Sequence, residues 1–95
     1  MAVLHFESQE KEYLNWLIDH PDGYVISTYK VFRPNHIFMH SATCWRIRRY
    51  MRHMAPDAFT GRQFKKVCSD SAFDLRDWAE KEGYPAVPIC MVCSR

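Results

Sequence analysis

The stretch Pro88-Ile89-Cys90-Met91-Val92-Cys93 constrains this chain more than any other, because two thiols spaced as Cys-x-x-Cys form half of a tetrahedral metal site. The other two cysteines, Cys44 and Cys68, lie far upstream, so a shared site would tie separated parts of the chain to one point. The 95 residues form a single domain, 1–95. A chain of this size buries only roughly 60 to 65% of its surface on folding, so its core is marginal and a staple has a use. No run approaches the roughly 18 to 20 apolar residues needed to cross a bilayer, and residues 1–12 lack a basic n-region and an apolar h-region. The expectation is a soluble, cytoplasmic chain without a membrane partner. In that reducing setting, cysteines serve as ligands, catalysts or buried thiols more often than as disulfides.

The first predicted element is a helix over residues 7–19, with Tyr13, Leu14, Leu17 and Ile18 on one face, Trp16 widening it and Ser8 as N-cap. Pro21 ends it, and Gly23 offers a turn residue free to take positive φ. The period then changes to two. Residues 24–29 and 36–40 read as strands of an antiparallel hairpin, joined by turn chemistry at Arg33-Pro34-Asn35. Ile47, Tyr50, Met51 and Met54 fall at i, i+3, i+4 and i+7, which predicts a short basic helix within residues 44–54. A third strand over residues 64–68 follows. Ser71 and Asp74 resemble a capping box opening a helix that runs to Glu82, with Gly83 as its C-cap.

These elements predict an α+β fold. A three-stranded, mainly antiparallel sheet is packed by N- and C-terminal helices on one face and stapled by zinc. Trp16, Leu17, Ile26, Phe38, Leu75 and Trp78 are the predicted core.

Three readings of the cysteines stand side by side. Cys44, Cys68, Cys90 and Cys93 could bind a structural zinc, with His40 as a substitute ligand; the thiols could pack as small apolar groups; or they could do redox chemistry or form a disulfide. The redox reading is weakest. A thioredoxin-like pair opens a helix whose N-terminus lowers the thiol pKa, whereas only Ser94 and Arg95 follow Cys93.

Charge is unevenly spread despite a formal net charge of only +2. Residues 24–66 carry nine Lys or Arg with Asp57 as the sole acid, between two acidic flanks. Arg46, Arg48, Arg49, Arg52, Arg62, Lys65 and Lys66 could neutralise phosphates, and Trp45, Tyr50 and Phe59 could stack on unpaired bases. An acidic protein partner would use the same cations. The bland alternative is the solvated face of an amphipathic helix.

Five histidines raise an enzyme alternative, with His20, His36, His40 or His53 as base and Asp22 as its orienter. His5-Phe6-Glu7 also matches the first half of a zinc-deaminase signature. The second half fails, because Ile89 separates Pro88 from Cys90. No phosphate loop, nucleophile elbow or His-Glu-x-x-His is present.

The order of motifs resembles a small uncharacterised bacterial domain family. Its pattern is matched by Trp16, His20-Pro21-Asp22-Gly23-Tyr24-Val25, Met39-His40-Ser41-Ala42-Thr43-Cys44, Thr60-Gly61, Lys66-Val67-Cys68, Leu75 to Trp78, and Cys90 to Cys93. The resemblance spans nearly the whole chain and implies that the four cysteines belong together. Ser41 stands where the pattern has Arg, and Arg62-Gln63-Phe64-Lys65 replaces a more apolar approach to the Lys-Val-Cys strand. The expected function is a small non-enzymatic binding module with structural zinc and a basic surface that contacts nucleic acid. A domain that docks on or inhibits an acidic protein is the alternative, and an enzyme using a His/Asp site comes third.

Overall fold

The structure, a computed structural model, describes residues 3–48, 58–61 and 63–90. Its elements in order are β1 (Leu4–Phe6), α1 (Glu10–Asp19), β2 (Tyr24–Tyr29), β3 (Ile37–Ser41), a single 3-10 turn (Trp45–Ile47), β4 (Phe64–Ser69) and α2 (Ala72–Glu82). The sheet has four strands in the order β1-β4-β2-β3, all antiparallel, where the sequence predicted three. The extra strand, β1, has three residues of which only Phe6 is buried, so it carries no alternating pattern to read. Segment 88–90 runs along the outer edge of β3, with Met39 N–H donating to Pro88 O and Cys90 N–H to Met39 O, both at 2.9 Å.

The helices lie on opposite sides of this sheet, which corrects the expectation of a shared face. Side chains alternate along a strand, so Val25 and Cys68 pack in one cluster with Tyr13, Trp16 and Leu17 of α1. Their neighbours Ile26 and Val67 pack in the other with Leu75 and Ala79 of α2. Consecutive apolar residues in the two central strands need cover on both sides, and one helix cannot supply it.

Helix α1 starts three residues later than predicted because Ser8 takes a left-handed φ of 56°; Gln9 occupies the cap position. Glu10 then ties the helix to a distant loop, accepting from Thr60 N at 2.7 Å, Thr60 Oγ1 at 2.8 Å and Phe59 N at 3.0 Å. The buried face runs through Tyr13, Trp16 and Leu17, leaving Ile18 exposed. Gly23 does not use positive φ. A Cβ there would lie 2.6 Å from the Trp16 ring, so close approach of the indole requires the glycine.

Helix α2 matches its sequence signals. Ser71 Oγ accepts from Asp74 N at 3.2 Å, Gly83 closes the helix at φ 99°, and Tyr84 N–H donates back to Ala79 O. Of the predicted core, Trp16, Leu17, Ile26 and Leu75 are buried and Trp78 is half-buried, but Phe38 is 49% exposed. Phe38 pairs with Ser27 on the α1 side of the sheet, beyond the part that α1 covers. Among the described residues no helix is long and apolar enough to cross a membrane.

Candidate metal centre and sheet-face groove

A tight turn after β3 and a parallel bridge at its edge bring His40, Cys44 and Cys90 together. His40 sits in β3, register-paired with Val25, and so faces the α1 side. A tight turn, with Cys44 N–H donating to Ser41 O at 3.0 Å and Ala42 N–H anchored on Gly23 O at 2.9 Å, folds Cys44 back beside it. The bridge between Met39 and Ile89 then sets Cys90 against the same edge. The donor atoms of the three lie within 4.8 Å of one another, and all three residues are buried. One zinc ion at about 2.0–2.3 Å from each nitrogen or sulfur donor requires them about 3.5–3.8 Å apart, so a small contraction would close the site. His40 suits the role of neutral ligand, since burial and the nearby Lys66 and Arg46 charges lower its pKa to about 4.

This group differs from the expected four cysteines. His40, the substitute, is a member, whereas Cys68 is not. Cys68 is fully buried in the α1-side core, and burial pushes its thiol pKa up, so it packs as a neutral group. Cys93 lies outside the described residues.

The basic segment is divided. The predicted basic helix is represented by the short 3-10 turn, and residues 49–57 lie outside the described part, as does Arg62; Arg49, Tyr50, Arg52 and His53 are among them. Arg46 and Trp45 are exposed, and Arg48 reaches back to Ala42 O at 3.4 Å. Lys65 lies over the Trp78 ring on the α2 side, 5.4 Å from its centroid. Lys66 points the other way and is only 3% exposed, with Nζ donating to Phe59 O at 2.8 Å. Phe59 is itself buried in the α1-side core and unavailable for base stacking.

Among the described residues the expected His/Asp22 pairings do not assemble, and His53 lies outside them. His20 pairs with Asp70 at 2.9 Å rather than with Asp22, and it stacks on Trp16 at the surface. His36 tilts against Tyr29. His5 meets Trp78 on the α2 side, across the sheet from Cys90, so the two halves of a deaminase signature are separated by the sheet.

Sequence reasoning missed a groove on the α1 side of the sheet. The strand register sets Phe38, Ser27 and Lys66 in one row across β3, β2 and β4, and pairs Tyr29 with Phe64 in the next. Ser27 is the small residue in the first row, and it lines cavities on both of its sides together with Phe38. One, of about 320 Å³, reaches Tyr29, His36 and Phe64. The other, of about 340 Å³, reaches Arg46, Lys66, His40 and Cys90. Tyr29 is sandwiched by contacts, with Phe64 stacked 5.2 Å away and the Arg33 guanidinium 5.0 Å from its ring centroid. Phe38 has no ring partner among the described residues, so its ring is open to a ligand. The alternation of residues 36–40 contained a signal for this groove, since it put Phe38 and His40 on one face. Comparison with protein-family profiles, curated proteins and solved structures found no match.

Proposed function

We propose that the chain is a small non-enzymatic module that binds single-stranded nucleic acid on this groove and is stapled by zinc at His40, Cys44 and Cys90. The observation that carries the reading is the row Phe38–Ser27–Lys66, with an open aromatic ring on one side of a small residue and a cation on the other. Single strands are bound by stacking bases on aromatic faces beside positively charged tracks, an arrangement that tolerates many sequences. Arg33 and Arg46 stand at the two ends of the groove and offer further phosphate contacts. The cations of this reading are Lys66, Arg46 and Arg33; Arg49, Arg52 and Arg62 of the expected basic surface lie outside the described residues. Cys93 is the natural fourth zinc ligand by its Cys-x-x-Cys spacing from Cys90. A reducing, cytoplasmic setting would keep these thiols available to metal.

Two measurements test this. Metal analysis of purified protein is expected to find one zinc per chain, lost when Cys44 or Cys90 is replaced by Ala; metal-free protein with fully titratable thiols would sink the staple. A labelled single-stranded oligonucleotide should bind, weaken as salt rises, and lose about 1–3 kcal/mol of affinity in Phe38→Ala. Binding that ignores salt and Phe38, or no binding at all, would turn the reading toward an acidic protein partner.

A further inference from the structure

Lys66 is a buried cation that touches no carboxylate among the described residues, and Glu10 favours its charge only through space. Among the described residues no carboxylate lies within 4 Å of Nζ, since the ion pairs found are His20–Asp70 and Lys81–Asp77. Among the described residues its hydrogen-bond acceptor is Phe59 O, and an ammonium has three donors. The rings of Phe59 and Phe64, each 5.9 Å from Nζ, hold the ammonium in place without neutralising it. A buried charge with no ion-pair partner in contact is costly, and such charges are normally paired. The exposed Arg46 lines the same cavity, and no described carboxylate does. With Cys93 as fourth ligand the zinc centre would hold three thiolates and carry a charge of −1, and the positive groups lining the cavity are Lys66 and Arg46. Two cations facing one space match a dianion better than a carboxylate. The remaining walls, Phe38, Ile47 and Ile89, are apolar and suit the organic part of a ligand.

We infer that the cavity between Lys66 and Arg46 is a receptor for a phosphomonoester, seating its terminal phosphate while Phe38 stacks on the attached base. A phosphomonoester carries close to two negative charges at pH 7 and three acceptor oxygens, enough to engage both cations. The inference rests on the nucleic-acid reading for the source of that phosphate. The cavity itself would equally take the phosphate of a free nucleotide.

The test uses the zinc-loaded full chain. Inorganic phosphate should raise Tm saturably where chloride at equal ionic strength does not. An oligonucleotide carrying a 5′- or 3′-terminal phosphate should bind about tenfold or more tightly than its hydroxyl-ended counterpart, roughly 1.4 kcal/mol. Lys66→Met and Arg46→Gln should abolish that preference. Phe38→Ala should weaken both oligonucleotides alike and leave inorganic phosphate binding intact. Phosphate acting no better than chloride, or a terminal-phosphate preference that survives Lys66→Met, overturns the receptor. Lys66-dependent binding of phosphate and mononucleotides, with no binding of strands, supports the receptor and removes the strand as its ligand. Arg46 is exposed, so Arg46→Gln gives a reading even where Lys66→Met disturbs the fold.

Discussion

Lys66 shows how far a single side chain can depart from its usual role. Burial, more than any neighbour, lowers its pKa from 10.5 to about 8. Because the folded value lies below the unfolded one, the unfolded chain holds more protons between those limits. Stability therefore rises with pH from about 8 to 10.5, and the charged form costs the fold on the order of 3 kcal/mol at neutral pH. Lys66→Met is expected to raise stability at pH 7 by up to that amount and to flatten the rise above pH 8, as read by urea unfolding across pH. Gly23→Ala should act in the opposite sense, losing about 1–3 kcal/mol in the same assay as the new methyl meets the Trp16 ring. Neither role could be read from sequence. Lys65-Lys66 reads as a surface pair until both faces of β4 are known to be covered, and Gly23 reads as a turn glycine because the indole above it comes from the preceding helix.

Among elements, those whose signals are local were the legible ones. The caps of α2 lie within a few residues of the helix they end, so Ser71 and Gly83 could be placed from sequence. Ser71→Ala should cost about 1 kcal/mol through the lost bond to Asp74 N. Leu75→Ala, in the fully buried centre of the same helix, should cost about 2–5 kcal/mol; both are measurable by denaturant titration. The hairpin of β2 and β3 was legible for the same reason, through its alternation and its turn residues. Strand β1 was not. Its place is set by pairing with β4, as in Phe6 against Lys66, and by the Ser8 N–H donating to Thr60 O at 2.6 Å, contacts that only the folded chain creates. The start of α1 moved for a related cause, since Glu10 serves the Phe59–Thr60 loop as well as its own helix.

At the scale of the molecule, the α+β class was readable from the order of helical and alternating patterns, whereas the distribution of the helices over two faces was not. That distribution follows from register, which decides that Val25 and Cys68 look one way and Ile26 and Val67 the other. A buried group that could hold a metal was legible in kind but not in its members, because a thiol count cannot show which cysteine the core takes as packing. Zinc should stabilise the whole domain by mass action. Chelation is expected to lower Tm, and zinc should restore it in the native chain but not in Cys44→Ala. The segment at 88–90 adds a consequence for biogenesis. His40 and Cys44 are made early and Cys90 late, and Cys90 reaches them only by docking on the open edge of β3. During synthesis the proposed site therefore could not take up an ion until nearly the whole described chain had emerged, so metal loading would act as a completion signal that locks the edge strand after the sheet has formed.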